Sequence, residues 1–306
     1  MLPGNQCTTV VVVASLENRR MSFLIQKGKP LLKQYRAVLL ERIQKAMEDL
    51  QSYGPEYPQG LHSARKNLKR CRSVLKLLRG KELRRERQEL DAAIRKIALG
   101  LSINRDREVL VALLDEWRDP EAGAVLEEAC SILVTYLCQD RQEVAAIDPK
   151  IRDNALERCL KVRRAIRRAD FSGLRRKVLR NGAEAAYRKV QLAFFRYREN
   201  PEPEAFHDLR KCAKHHLYHR QVLRDCLDLK EARTRRVREF EGLLGKVRDC
   251  DLVLETVANH WDCGLAPEHV AALVIKAETE KECLLADAMK KAGRFLAVRQ
   301  SAVLSR

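Results

Sequence analysis

Between Leu61 and Gly80 the segment LHSARKNLKRCRSVLKLLRG holds no aspartate and no glutamate. Glycine (13) and proline (9) are sparse across the 306 residues, which argues against turn-rich β architectures and leaves no linker long enough to separate independent domains. Aromatic residues make up only 5%, few for a protein that stacks the bases of single-stranded nucleic acid. No apolar run approaches the ~20 residues of a membrane span, and none is expected. Thr8 to Leu16, TTVVVVASL, is too short and lacks the basic flank of a secretory signal. The ten cysteines show no C-x-x-C or other zinc spacing and are read as reduced thiols of a cytoplasmic protein. No P-loop, G-x-G-x-x-G, zinc-protease motif or nucleophile–base pair is present, so the chain is read as no enzyme.

What is abundant is helix-forming and cationic. Ala, Leu, Arg, Lys and Glu dominate, and an all-α fold is expected. The net charge of +18 and a pI near 9.7 call for an anionic partner. On a helix, Leu61 to Gly80 separates into two faces. His62, Arg65, Lys66, Lys69 and Lys76 share one stripe, with Arg72 and Arg79 along a flank, while Ala64, Leu68, Cys71, Leu75 and Leu78 fall opposite. Arg65/Lys69, Lys66/Arg70 and Arg72/Lys76 are like-charged i,i+4 pairs, each destabilising by a few tenths of a kcal/mol. An anion laid along the stripe would relieve them. From His62 to Arg79 the stripe is about 26 Å long, suited to a linear polyanion more than to one phosphate.

The pattern recurs. Phe206 to Arg224 repeats H-x-x-R-K-x-x-K at His207, Arg210, Lys211 and Lys214, and Arg224 matches Arg79. A second echo follows each copy: LSINRDREVL aligns Arg105-Asp106 and Glu108 with Arg248-Asp249 and Asp251 of LGKVRDCDLV. Two ordered motifs recurring after roughly 140–145 residues point to an internal duplication of a whole bundle, because solenoid units repeat at shorter periods.

These four motif copies resemble the CHAD family, the conserved histidine α-helical domain, over roughly residues 23 to 295. The first copy carries Glu108 and Ser102 where that family's pattern has Asp and Gly. The resemblance implies two pseudo-symmetric helical bundles whose basic residues face a shared surface or cavity. It also implies binding of inorganic polyphosphate and association with polyphosphate granules. Together with the cationic stripe and its second copy, it gives as expected polyphosphate-binding residues His62, Arg65, Lys66, Lys69, Arg70, Lys76, Arg79, Arg105, His207, Arg210, Lys211, Lys214, Arg224 and Arg248. The triphosphate-processing domain that some members carry would bring E-x-E-x-K, and ETEKE at Glu278 to Glu282 ends in Glu instead.

The expected order is an N-terminal extension over 1–20 and one CHAD domain over 21–300. Within it lie a first repeat of about 21–148, a connecting basic helix of about 149–180 and a second repeat of about 181–300. A helix from Ser22 to Gln51 comes first, the cationic helix runs to Arg79, and separate helices are expected near Lys230–Leu243 and from the second RD motif to Trp261. The connector carries Arg158, Lys161, Arg163, Arg164, Arg167 and Arg168, either a third part of the anion site or a wet basic face.

Asp106, Glu108, Asp249 and Asp251 are read as helix-start carboxylates that orient neighbouring cations. His62 and His207 are expected to face the anion. His215, His216 and His219 form H-H-x-x-H without the Glu of H-E-x-x-H or an evident third ligand, so no metal and no cofactor is expected. The leading reading is non-catalytic binding of polyphosphate or another phosphate-rich polyanion. The alternatives are RNA or DNA binding through the phosphate backbone, and a metal-dependent phosphohydrolase built on the paired acids.

Overall fold

The computed structural model describes residues 23–54, 57, 59–101, 105–118, 123–144, 148–259 and 263–296; the side chains of 105, 106 and 139–144 are not described. The expected extension over 1–20 lies outside these residues. Ten α-helices and no strand occur among the described residues: α1 Leu31–Ser52, α2 Gly60–Leu75, α3 Arg84–Gly100, α4 Arg105–Trp117, α5 Ala124–Val144, α6 Pro149–Arg168, α7 Arg176–Glu199, α8 Pro203–Leu223, α9 Glu231–Asn259 and α10 Pro267–Leu296.

The apolar stripes sort these helices into three packed groups. In the first, α1 packs on α2 and α6, and α3 closes the ring by packing on both. Tyr35, Leu39 and Ile43 of α1 meet Leu68 and Leu75 of α2, Ile94 of α3, and Cys159 and Ile166 of α6. Residues 149–168, read as part of a connector, thus form the fourth wall of this core. Each fully buried leucine here contributes about 1.5–3 kcal/mol. In the second group, Val190 and Phe194 of α7, Leu209 and Ala213 of α8, Phe240 and Leu244 of α9, and Ala288 and Ala292 of α10 close together. The α4–α5 hairpin joins neither ring. Its Leu114, Trp117 and Leu133 pack on Val253 of α9 and Leu273 of α10.

The two rings are tied where α2 meets α8. Leu179 of α7 and Val222 and Leu223 of α8 enter the first core. The segment before α1 is sewn to the end of α8, with Ile25 N donating to Val222 O (2.8 Å) and Cys226 N to Ile25 O (3.1 Å). A Cβ on Gly182 would run into the backbone of Leu77, so α7 passes the end of α2 at a distance only glycine permits.

Three boundaries differ from the sequence reading. The first helix starts at Leu31, after Gly28 (φ 80°) and Pro30. The cationic helix stops at Leu75, where the backbone tightens into i→i−3 turns: Leu77 N donates to the Val74 carbonyl at 3.1 Å and Leu78 N to the Leu75 carbonyl at 3.0 Å. The freed Leu78 carbonyl accepts from Arg87 Nη1 at 2.9 Å. The two helices expected between Lys230 and Trp261 are one, since Val237, Phe240, Leu244, Val247, Cys250, Val253 and Val257 keep an unbroken apolar stripe past Gly242 and Gly245.

Candidate functional site

The two H-x-x-R-K-x-x-K helices cross at Ser73 of α2. His219 Nε2 donates to the Ser73 carbonyl at 2.7 Å, and His215 Nδ1 lies 3.2 Å from Ser73 Oγ. His215 Nε2 in turn meets Lys76 Nζ at 2.6 Å. His215 and His219 stack with centroids 6.5 Å apart, and His216 packs on the Tyr187 ring at 5.4 Å. Burial, aided by the cations nearby, keeps all three imidazoles neutral, His216 drawn down to about 3 and His219 to about 4. The H-H-x-x-H run therefore seals a helix crossing. Among the described residues, no group of three or more His, Cys, Asp or Glu is placed to hold a metal ion.

Cations from both helices face each other on either side of this crossing. Lys66 is an exposed residue whose ammonium partial burial still lowers, with Arg70 and Lys214 lowering it further. Burial likewise brings Lys76 down to about 8, with Arg72, Lys211 and Lys189 adding repulsion. Arg70 stacks over Phe23 (5.6 Å) and Tyr218 (5.6 Å), which fixes its guanidinium beside a pocket of about 250 Å³ shared with Arg224 and Arg238. On the other side Lys76, Arg79 and Lys211 line a cleft of about 1030 Å³ with Arg87 of α3 and Lys189 and Arg196 of α7. His62, Arg65 and Lys69 are half-buried on α2, Arg210 is half-buried on α8, and His207 is exposed in the first turn of α8.

The ridges are less free of acid than the sequence suggests. Asp91 of α3 takes Arg72 through both oxygens (2.8 and 3.2 Å), Glu241 of α9 takes Lys214 at 2.9 Å, and Glu231 takes Arg224 at 3.1 Å. Lys211 reaches Asp208 at 3.6 Å with both partners about half exposed, a pair that contributes little.

The RD-x-[DE] expectation is corrected in part. Asp249 and Asp251 lie mid-way along α9, not at a helix start. Asp251 binds Lys281 of α10 at 2.6 Å, and Arg248 is held by Glu255 at 2.7 and 2.9 Å. These residues flank the cluster where α9 meets the α4–α5 hairpin and α10, and Asp251 steadies that packing rather than a cation of the ridge. Glu108 is exposed in the first turn of α4, and the side chains of Arg105 and Asp106 lie outside the described residues.

Residues 34–236 match the family model for the CHAD domain. The chain belongs to the CHAD family. A crystal structure of the CHAD domain from the plant Ricinus communis has the same fold, with a TM-score of 0.65 and 18% identity over 90% of this chain and 95% of that one. No curated protein matches. No helix among the described residues of this CHAD chain is long and apolar enough to cross a membrane.

Several residues around this crossing carry no motif. Arg42 is 3% exposed, donates to Asn67 Oδ1 at 3.1 Å and stacks over Phe23 at 5.3 Å. Its only signal was an arginine among inward-facing Leu39, Ile43 and Ala46 on α1. Arg87, Lys189, Arg196 and Arg238 come from mixed-charge helices, where nothing in the sequence separates them from solvated neighbours.

Proposed function

We propose that this protein binds inorganic polyphosphate, without catalysis, through α2 and α8, and that this binding holds it at polyphosphate granules in the cytoplasm. The observation that carries the reading is the mutual repulsion across the crossing. Lys66 is lowered in part by Lys214, and Lys76 in part by Lys211, so cations of the two motif copies come together where a polyanion would neutralise both. Arginine forks and mobile lysine ammoniums are the donors that phosphate oxygens recruit. Family membership is compatible with this ligand. The paired acids give no support to a hydrolase: Asp251 is taken by Lys281, and Asp249 sits on the same helix, away from its start.

Competition at matched salt and equal phosphate concentration tests the ligand. Polyphosphate of increasing length should displace labelled polyphosphate better than RNA or duplex DNA does. Tighter binding of RNA would overturn the reading in favour of a nucleic-acid partner. Replacing Lys66, Arg70, Lys76, Lys211 and Lys214 by Gln should remove binding while circular dichroism stays helical.

A further inference from the structure

Lys76 differs from the other ridge cations in what surrounds it. Its Nζ rests against His215 Nε2, a ring nitrogen whose partner Nδ1 is taken up by Ser73 Oγ. The charged groups that bear on it are Arg72 on α2, Lys189 on α7 and Lys211 on α8, opposed by Asp91 on α3. The Asp91 carboxylate is already bound through both oxygens by Arg72. An amine in such company is present partly as the neutral, nucleophilic base near pH 8.

The cleft that this amine lines has two kinds of wall. Arg79, Arg87 and Lys211 supply cations, while Ala186, Leu192 and Ala193 of α7 supply an apolar surface, with Leu192 70% exposed. Inorganic polyphosphate has no group that uses the apolar wall. A short-chain acyl phosphate has both a phosphate for the cations and a hydrocarbon for α7, with an electrophilic carbonyl between them.

We propose that Lys76 is a covalent acylation site for short-chain acyl phosphates that enter this cleft. The neutral Nζ attacks the carbonyl carbon and forms the C–N bond. The bond from that carbon to the phosphate oxygen breaks, its electron pair leaves with inorganic phosphate, and the nitrogen releases its extra proton to water. The products are an amide and phosphate, with Arg79 and Lys211 neutralising the leaving group. The proposal stands apart from the polyphosphate reading; if both hold, acylation also deletes one cation from the ridge.

The test uses the whole chain with acetyl phosphate and follows each lysine by peptide mass spectrometry across pH 6.5–10. At pH 7.5 roughly two hundredfold more of Lys76 is neutral than of a lysine at its ordinary value. Its weaker intrinsic nucleophilicity offsets part of this. Lys76 should therefore react about tenfold faster than exposed Lys81 and Lys177, and its rate should level off above pH 8. Unfolding in urea should abolish the advantage, and Lys76→Arg should leave every other site reacting as before. Equal rates at Lys76 and Lys81, or an advantage that survives urea, would overturn the proposal. Polyphosphate added beforehand bears on the other reading alone: it should slow Lys76 if it occupies the ridge.

Discussion

His219 donates its Nε2 proton to the Ser73 carbonyl at 2.7 Å, and its buried Nδ1 has no hydrogen-bond partner among the described residues. The crossing of α2 and α8 is thus made by a histidine fixed as one neutral tautomer. A second proton would have to sit on Nδ1, where no described residue accepts it.

Acid should loosen this crossing. His215, His216 and His219 titrate below their unfolded value of about 6.5, so the unfolded chain binds more protons in the acid range. The stability they contribute is fully present above pH 6.5 and is lost as pH falls toward 4, by up to roughly 1.4 kcal/mol per histidine per pH unit. Urea unfolding at pH 7.5, 6 and 5 should show the decline, and His216→Leu should make it shallower by about a third. A stability unchanged between pH 7.5 and 5 would contradict the buried-neutral assignment.

Lys76 has the opposite limb. Its ammonium, lowered to about 8 against an unfolded 10.5, is held at a cost below pH 8 that is relieved as pH rises through 10.5. Solvent at this half-open position screens the effect to about 1 kcal/mol per pH unit or less. Lys76→Met should therefore be no less stable than the parent at pH 7, while polyphosphate affinity drops severalfold. A variant that loses stability at pH 7 would show that the His215 contact outweighs the buried charge.

Glu241 restrains the ridge through Lys214. Glu241→Gln should raise polyphosphate affinity about threefold, and Lys214→Gln should lower it by at least as much, both read by titration at fixed ionic strength. The same pair should move the salt slope in opposite directions, since each contacted cation contributes about one counterion released. Parallel effects would mean that Lys214 serves only the α8–α9 contact.

Gly182→Ala probes the approach of α7 to α2. The added methyl meets the Leu77 backbone, which is not a movable side-chain end, so α7 must shift. A loss of about 1–3 kcal/mol in denaturant unfolding is expected. Gly245→Ala, a helical position with open space around it, should instead be neutral or mildly stabilising.

Local chemistry made much of this molecule legible in one dimension. The 3.6-residue periodicity, the scarcity of glycine and proline, and Asp148-Pro149, whose aspartate caps α6 through the Lys150 amide at 2.8 Å, are all properties of neighbouring residues. So is each H-x-x-R-K-x-x-K motif, on α2 and on α8, whose recurrence pointed to the family. These features are encoded within a turn or two of chain, and the sequence alone determined them.

Tertiary packing decided the rest. Helix α2 ends at Leu75, short of Arg79, and Lys76 just beyond it meets His215, 139 residues away. Asp91 and Glu241 reach the ridge from other helices, so a segment free of acid in sequence is not free of it in space. The fate of H-H-x-x-H was settled the same way. Whether a histidine binds, titrates or seals a crossing depends on its burial and on which groups from distant segments face it, and no local pattern carries that information.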